Sequence, residues 1–258
     1  MKIATFNANS IRSRIEPIRR WLNAHQPDVL AVQETKVQDE DFPVDAFAET
    51  GYQVVFHGQK KYNGVALFSR IEPKNIRKHL PGDSSGQARF LQADYGPVTV
   101  VNTYAPQGFE VGTDKFEYKL KWFDLLRRYL KTEIQKKPNL IWLGDFNAAR
   151  EDIDVYDPQG LWGSVCFCKE VQDALESVLS LGLVDLFRLH HPNQPGCYTF
   201  WDYRIPNSFK RNLGWRLDYI TAAEPLARRC IRCEIDTEAR AWDKPSDHTF
   251  LWAEFEQC

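Results

Sequence analysis

The 258-residue sequence contains no apolar run long enough to cross a lipid bilayer. A membrane-spanning helix needs about 20 consecutive apolar residues, whereas the apolar runs here have the length of single β-strands. The N-terminal segment MKIATFN leads straight into a predicted strand and lacks the apolar region of a secretory signal. The sequence therefore excludes a helical membrane protein, and we expect a cytoplasmic protein that has no membrane partner.

The cysteine pattern lacks what a zinc site or a disulfide-rich scaffold would need. Only Cys230 and Cys233 have the C-x-x-C spacing, and no second pair or H-x-x-x-H motif completes a four-ligand site. Disulfides are also rare in the cytoplasm. We expect reduced and partly buried thiols at the six cysteines, which are Cys166, Cys168, Cys197, Cys230, Cys233 and Cys258.

A large excess of positive charge is missing as well. Lys and Arg together number 33 against 35 Asp and Glu, which gives a formal net charge of −2. This balance excludes a protein coated with basic residues, so any surface that binds nucleic acid must be confined to one face. Because the chain is long enough for one large core, we expect a single domain that spans residues 1–258, and a monomer.

Short apolar runs alternate with helical patterns along the chain, as is typical of mixed α/β proteins. Apolar residues three or four positions apart predict helices over residues 114–136 and 169–181, and a weaker pattern predicts one over 15–25. Segments rich in Gly, Pro, Asp and Ser predict loops at 81–87, 105–114, 155–168 and 204–212. The clearest strands, enough for one wide sheet or two packed sheets, are KIATF, DVLAVQ, YQVVFH, GVALFS, VTVVNTY, NLIWLG, WRLDYIT and TFLWAEF.

Polar residues that core packing does not require stand at the ends of many of these strands. Burying an unpaired carboxylate is costly, so acids at such positions usually bind a cation or take part in a reaction. Taken singly, each residue fits a turn or a cap better. Taken together they predict a site for Mg²⁺ or Mn²⁺ and a phosphate oxygen, because carboxylate and amide oxygens suit these ions. The residues are Asn7, Asn9, Glu34, Tyr104, Asp145, Asn147, Asp218, Asp247 and His248.

Nine motifs that run in order from Lys2 to Phe255 resemble those of one family. They are FNANSIR, PDVLAVQETK, YNGVALFSR, NTYAPQG, LGDFN, GLVDLFR, YTFWDYR, GWRLDYI and KPSDHTFLWAEF. The pattern is similar to that of the exonuclease III family of abasic-site endonucleases, within the endonuclease/exonuclease/phosphatase superfamily related to deoxyribonuclease I. The resemblance implies an α/β fold, a four-layered sandwich of two packed β-sheets flanked by helices.

The resemblance also implies roles for the polar residues. It makes Glu34 the principal metal ligand and Asp145 the group that orients or deprotonates the attacking water. A carboxylate bonded to one ring nitrogen leaves the other free, so Asp218 would prepare His248 to stabilise charge in the transition state. Further metal ligands would come from Asn9, Asp145, Asn147, Asp247 and His248, and phosphate or substrate contacts from Asn7, Lys36, Tyr104, Asn147, Asn212 and Arg216.

An apolar pocket is implied by the same resemblance. Phe200, Trp215 and Leu217 would receive a sugar that has lost its base and has flipped out of the duplex. Plain core packing is the alternative for these three side chains. Basic residues expected near the DNA, for which an ordinary charged surface is the alternative, are Lys36, Lys60, Lys61, Arg89, Arg150, Arg204, Lys210, Arg211 and Arg216.

The implied function is DNA repair. The chain would hydrolyse the phosphodiester 5′ to an abasic site in duplex DNA, with 3′-phosphatase, 3′-phosphodiesterase and 3′→5′ exonuclease activity. The segment DVYDPQGLWGSVCFCKEV departs from the family in its middle, which keeps open an enzyme that mainly processes blocked 3′ ends. The sequence also leaves open a small-molecule phosphatase of the same superfamily and an inactive relative that binds DNA or protein.

Overall fold

Two six-stranded β-sheets pack face to face in the computed structural model, which describes residues 1–256. In chain order the strands are β1 (Lys2–Asn7), β2 (Val29–Gln33), β3 (Gln53–His57), β4 (Val65–Ser69), β5 (Lys74–Arg77), β6 (Phe90–Tyr95), β7 (Val98–Tyr104), β8 (Leu140–Asp145), β9 (Leu183–Asp185), β10 (Asp218–Ala223), β11 (Cys230–Asp236) and β12 (Phe250–Phe255). The α-helices are α1 (Ile15–His25), α2 (Asp114–Lys136), α3 (Pro158–Leu161), α4 (Lys169–Leu179), α5 (Leu186–His190) and α6 (Glu224–Ala227). Short 3₁₀ helices occupy Ile11–Ser13, Asp39–Asp41, Val44–Thr50, Asp152–Asp154 and Ala239–Ala241.

Both sheets are mixed. The first has the order β11-β12-β1-β2-β4-β3 and the second the order β5-β6-β7-β8-β10-β9. The pairs β1–β2 and β7–β8 are parallel, and the other pairings are antiparallel. Strands such as β2 and β8 are buried along their whole length, which explains why they appear in the sequence as continuous apolar runs.

Helices cover the outer faces of the two sheets. Trp21 and Leu22 of α1 pack into an apolar cluster with β1, β2 and β4 on the first sheet. Helices α2 and α4 pack together on the outside of the second sheet, around side chains that include Trp142 and Leu175. The inner cluster between the sheets joins residues of both, such as Val29 and Leu143. The predicted four-layered α/β sandwich is therefore confirmed.

Most of the predicted elements are present. Helices α1 and α2 have the predicted bounds, and α4 ends at Leu179 rather than 181, before Gly182 with its positive φ of 93°. The strand predicted as WRLDYIT starts only at Asp218, because Trp215 forms isolated bridges rather than a ladder. The predicted loop 155–168 contains the short helix α3. Strands β5, β6, β9 and β11 were not among those predicted.

Two further expectations from the sequence can be compared with the structure. Among the helices of residues 1–256, none combines the length and the apolar character that a membrane crossing requires. Five cysteines are free thiols, and Cys258 lies outside the described residues. The five are Cys166, Cys168, Cys197, Cys230 and Cys233.

A buried ion-pair network stands where a DNA contact was predicted. Arg216 is 0% exposed, and its guanidinium donates to Asp154 Oδ1 at 2.7 Å and to Asp154 Oδ2 at 3.0 Å. Its third nitrogen lies 2.8 Å from Asp185 Oδ2, and Arg188 also binds Asp154. The prediction that Arg216 binds phosphate is wrong, because its side chain is fully buried and is engaged by two carboxylates.

The network stabilises the charged form of Asp154. Burial alone would raise the pKa of the Asp154 carboxyl, but the guanidinium groups of Arg216 and Arg188 outweigh burial and hold that pKa below its usual range. Asp154 ends a 3₁₀ helix and its carbonyl accepts the Arg216 amide at 2.8 Å, so the network ties residues 152–154 to the chain just before β10.

We expect the substitution Arg216→Met to destabilise the fold by about 3–5 kcal/mol, because it leaves the carboxylates of Asp154 and Asp185 short of a buried partner. The measurement is the free energy of unfolding from denaturant titration. Arg228→Met is the matched control, since Arg228 forms an exposed pair with Glu224 that should contribute little. Equal stability of the two variants would contradict a structural role for the network.

Candidate active site

Polar ends of strands from both sheets meet at one edge of the sandwich. The parallel register of β7 and β8 places Tyr104 beside Asp145, and the antiparallel register of β8 and β10 places Asp145 beside Asp218. On the facing sheet, Asn7 ends β1, and Glu34 follows β2 directly. Residues from distant parts of the sequence thus come within hydrogen-bonding reach of one another.

Asn7 links the carboxylates of the two sheets. Its Nδ2 donates to Glu34 Oε1 at 2.9 Å and to Asp145 Oδ2 at 2.8 Å, while its Oδ1 accepts from the Asn9 amide at 2.9 Å. The amide group of an asparagine has only two hydrogens, and both are used here. The prediction that Asn7 binds phosphate is therefore wrong for this arrangement, in which Asn7 holds two acids together.

Glu34 is held by a cation and by a chain of hydrogen bonds. Lys36 Nζ lies 2.8 Å from Glu34 Oε2 and also donates to Asn9 Oδ1, and Asn9 Nδ2 donates to Asp247 Oδ1 at 2.9 Å. Burial on its own would raise the pKa of Glu34, but the Lys36 ammonium and the hydrogen bonds outweigh burial and lower that pKa. Glu34 is therefore a carboxylate at neutral pH.

The backbone under these side chains adopts an uncommon conformation. Four residues of the site have φ between 43° and 54°. This is the left-handed region, which residues other than Gly and Asn rarely adopt. The loop after β2 is fixed by Thr35, whose amide donates to Gly64 O at 3.1 Å. A Cβ added to Gly64 would lie 2.0 Å from Thr35 Oγ1, so only glycine permits this approach. The four residues are Asn9, Glu34, Lys36 and Asn147.

His248 is paired with two carboxylates. Its Nδ1 lies 2.7 Å from Asp218 Oδ2, and its Nε2 lies 3.7 Å from Asp145 Oδ2. Burial favours the neutral ring, but Asp218 and Asp145 more than offset it and raise the pKa of His248 to about 10. The ring is thus an imidazolium at neutral pH. Ligand atoms of Asp145, Asp218 and His248 lie within 4.8 Å of one another, so the role of His248 as a metal ligand stays a prediction. It requires the neutral ring, because an imidazolium has no free lone pair.

Asp145 is almost completely buried in this cluster. Burial raises the pKa of Asp145 to about 7, with the His248 imidazolium opposing the shift and the Asp218 and Glu34 carboxylates reinforcing it. The amide of Asn147 donates to Asp145 Oδ1 at 2.9 Å and fixes the carboxyl group. A carboxylate with a pKa near neutral is suited to accept a proton from water.

Asn147 keeps a hydrogen-bond donor for a ligand, and the Tyr104 hydroxyl lies beside Glu34. Asn147 Nδ2 donates one hydrogen to Ala105 O at 3.0 Å, which leaves the second. Burial, together with Glu34 and Asp145, raises the pKa of the Tyr104 hydroxyl well above its usual value, so the hydroxyl keeps its proton. Both side chains line a pocket in front of the cluster.

A pocket of about 560 Å³ opens in front of the cluster. The ring of Phe200 lies 4.9 Å from the ring of His248, centroid to centroid, and Trp215 and Leu217 line the same pocket. The three predicted pocket residues therefore lie together and beside the predicted catalytic ones. The remaining lining residues are Glu34, Tyr104, Gln107, Phe109, Asp145, Asn147, Ser164, Val165, Cys166, Asp202, Arg204 and Asp247.

One further predicted ligand lies away from the pocket. Asn212 Oδ1 accepts from the Trp201 indole at 3.1 Å, and its Nδ2 donates to Gly196 O at 2.9 Å. Both ends of the side chain hold neighbouring loops in place. The structure therefore does not bring Asn212 to the phosphate-binding residues.

Two hydroxyl groups of the site were not predicted from the sequence. Ser246 Oγ donates to Asn7 O at 2.7 Å and accepts from the His248 amide at 3.2 Å. Thr199 Oγ1 accepts from the amides of Leu217 at 3.0 Å and Asp218 at 3.1 Å. Serine and threonine give no charge or periodicity signal, and only their position inside the motifs KPSDHTFLWAEF and YTFWDYR pointed to them.

The donor set fits a hard divalent cation. When Asp145 is ionised, four carboxylates share the edge with one imidazolium and one ammonium, which leaves an excess of two negative charges in a largely buried site. Their oxygens, with those of Asn9, are the ligand type that Mg²⁺ and Mn²⁺ take. Asp218 is already bonded to His248, so Glu34, Asp145, Asp247 and Asn9 are the residues that would hold the ion. The four carboxylates are Glu34, Asp145, Asp218 and Asp247.

Comparison with known sequences covers nearly the whole chain. The model of the endonuclease/exonuclease/phosphatase family matches residues 4–248. Exodeoxyribonuclease III of Haemophilus influenzae is 37% identical over 99% of this chain and 100% of that protein.

Solved structures agree with this result. An AP endonuclease from Archaeoglobus fulgidus superposes with a TM-score of 0.96 at 43% identity, over the full length of both chains. A 3′ phosphatase from Neisseria, solved with a product DNA hairpin, gives a TM-score of 0.96 at 36% identity, again over both full chains. The chain therefore belongs to the endonuclease/exonuclease/phosphatase family and, within it, to the exonuclease III family of DNA repair nucleases.

Proposed function

We propose that this nuclease hydrolyses the phosphodiester bond 5′ to an abasic site in duplex DNA. The observation that carries the proposal is the position of the apolar part of the pocket wall, formed by Phe200, Trp215 and Leu217. The Phe200 ring lies 4.9 Å from the ring of His248. A sugar without a base can enter a small apolar pocket, whereas a normal nucleotide would have to bring its base with it. The bond that is cut would then lie beside Asp145 and His248.

Asp145 is the proposed base. Its buried carboxyl has a pKa of about 7, and Asn147 and Asn7 fix both of its oxygens by hydrogen bonds. Fixed in this way, Asp145 accepts the proton of a water molecule that attacks the phosphorus. Near neutral pH a substantial fraction of Asp145 is ionised and ready for this step.

His248 is the proposed electrostatic partner. The Asp218 carboxylate holds the ring by Nδ1, so the protonated Nε2 faces the pocket side of Asp145. A fixed positive charge in a site with little water stabilises the negative charge that grows on the phosphoryl oxygens. Tyr104, Asn147 and Lys36 are the proposed neutral and charged donors to the same oxygens.

Mg²⁺ or Mn²⁺ is the proposed cofactor, with Glu34 as principal ligand and Asn9, Asp145 and Asp247 beside it. When bound, the ion neutralises charge on the scissile phosphate. The ligands Glu34 and Asn9 are already fixed by Lys36 and Asp247, so little further ordering is needed to arrange them. All of these side chains come from one chain, so the proposed site needs no residue of a partner. We also propose a single domain over residues 1–258 that acts as a monomer.

A second candidate function is the processing of blocked 3′ ends with little internal cleavage. The segment from Glu151 to Cys168, which forms one wall of the pocket, contains no Lys or Arg. Fewer phosphate contacts on that side would lower the binding affinity for a continuous duplex more than the affinity for a strand end. Both candidates use the same ion and the same catalytic residues.

One gel experiment distinguishes these candidates. The purified protein is incubated with a duplex that carries one synthetic abasic site and with a duplex that has a recessed 3′ end. We expect a single internal nick in the first and slower shortening of the second, each in the presence of Mg²⁺ and neither with chelator. Shortening without internal nicking would favour the second candidate, and no cleavage of either duplex would contradict both.

The variant Trp215→Ala adds a test of the pocket within the same experiment. Removing this wall should slow the internal nick by about 10-fold or more, while the variant should shorten recessed ends nearly as fast as the unmodified protein does. Equal loss of both activities would indicate that Trp215 serves only packing.

We expect Asp145→Asn to lower kcat for abasic cleavage by at least about 100-fold, because an amide cannot accept the proton of water. The control is Asp202→Asn, since Asp202 lines the same pocket but is bound to Arg204. Unfolding curves show whether both variants are folded. A variant of Asp145 with near-normal kcat would remove this residue from the mechanism.

The charge of His248 predicts a change in pH dependence. Asp218 raises the pKa of His248 against the effect of burial, so Asp218→Asn should bring that pKa down from about 10 towards or below the usual 6.5. If the imidazolium is the active form, kcat of this variant declines at a lower pH than kcat of the unmodified protein. The measurement is kcat against pH at saturating Mg²⁺. Two profiles with the same alkaline limb would show that His248 does not act through its charge.

A further inference from the structure

Lys119 lies on the buried face of α2. The spacing of the helix predicted apolar side chains on this face and charged side chains on the opposite face. Its side chain is 0% exposed and shares this face with Phe116, Trp122 and Phe123. A buried amine is costly unless it is paired. An apolar residue at this position would satisfy the helix, so the partners of the amine indicate why it is there.

The ammonium group binds three backbone carbonyls. Lys119 Nζ lies 2.7 Å from Asn147 O, 2.7 Å from Val165 O and 3.2 Å from Gln107 O. A neutral amine has only two hydrogens, whereas the ammonium form has three, one for each of these acceptors. The geometry therefore fits a buried positive charge whose hydrogens are all used by backbone oxygens.

The three carbonyls belong to three separate segments that line the pocket. Gln107 follows β7, Asn147 follows β8, and Val165 precedes α4. The segments also touch one another beside the Lys119 stem, since a Cβ added to Gly108 would lie 2.9 Å from Val165 Cγ2 and 3.1 Å from Lys119 Cδ. One side chain from α2 thus joins three irregular segments of the pocket.

The bond to Asn147 reaches the proposed base. Asn147 has a positive φ of 48°, and in this conformation its amide donates to Asp145 Oδ1 while its carbonyl accepts from Lys119. Lys119 therefore fixes the backbone of Asn147 at its carbonyl, and Asp145 fixes it at its amide. A shift of that segment would move Asn147 and release the Asp145 carboxyl.

We propose that Lys119 is a positioning residue for phosphodiester hydrolysis, which sets Asn147 and the two pocket segments that contain Gln107 and Val165. This role rests on the proposed function. Lys119 touches neither the substrate pocket nor the metal ligands' carboxylates by its own contacts, so it acts through the backbone that it holds. Catalytic geometry is sensitive to such support, because a displacement of about 1 Å can lower the rate by about 100-fold.

The test compares Lys119→Met with Lys121→Met, an exposed lysine two residues away on the same helix. Methionine replaces the apolar stem of Lys119 but removes the ammonium group and all three of its donors. For Lys119→Met we expect kcat for abasic cleavage to fall by about 10-fold to 100-fold, with KM changed by less, while Lys121→Met stays near the unmodified protein. In the same variant, amide hydrogen exchange should speed up in the segments around residues 107, 147 and 165 and not in the strands.

The outcomes separate this proposal from the proposed function. If the unmodified protein cuts neither DNA substrate, the proposed function fails. If it cuts, and folded Lys119→Met has unchanged kcat and unchanged exchange, the positioning role is overturned. A variant that loses only thermal stability, with normal kcat in its folded state, would also overturn it. If Lys119→Met does not fold, Lys119→Gln, whose amide keeps two donors, is assayed in the same way. Its kcat is expected to fall by less than the loss stated above for Lys119→Met, and an unchanged kcat with unchanged exchange would overturn the positioning role.

Discussion

The crowding of four carboxylates at one buried edge is the constraint on which the site depends. Such acids repel one another, and burial disfavours the charged form of a carboxyl group. Three groups offset this repulsion: the Asn7 amide, which bridges two of the acids, the Lys36 ammonium and the His248 imidazolium. With Asp145 ionised, two negative charges remain uncompensated, which suits the edge to a divalent cation.

The same crowded edge gives two carboxylic acids different pKa values. Glu34 lies against Lys36, and its pKa is lowered, whereas Asp145 lies deeper and near Asp218, and its pKa rises to about 7. The first is suited to remain charged under a cation, and the second to exchange a proton with water. Environment rather than residue type therefore assigns the two roles, and the single amide of Asn7 keeps the two carboxylates at a fixed separation.

The sequence predicted this edge well because strand ends are simple to find. An apolar run next to a polar residue marks both the strand and its end, so Glu34, Asp145, Asp218 and His248 were predicted together. The runs alone allowed one wide sheet or two packed sheets, and the two-sheet fold came from the family resemblance. Strand β5 is fully exposed and β9 has three residues, so neither gives an apolar run. The errors at Asn7 and Arg216 have another cause: a sequence shows that a donor exists but not which acceptor has already taken it.

Buried cations mark the part of the site that the sequence could not show. Tyr104, Asp145 and Asp218 lie at the ends of strands, whereas much of the pocket is built from irregular segments outside the sheets. Arg216 joins two of these segments through Asp154, and Lys119 joins three through their carbonyls. Both look in the sequence like surface charges. Backbone groups without regular partners must be satisfied in the interior, and Lys119 does this for three carbonyls, whereas Arg216 satisfies two buried carboxylates. Both cations therefore support the pocket segments from outside the cluster of acids at the strand ends.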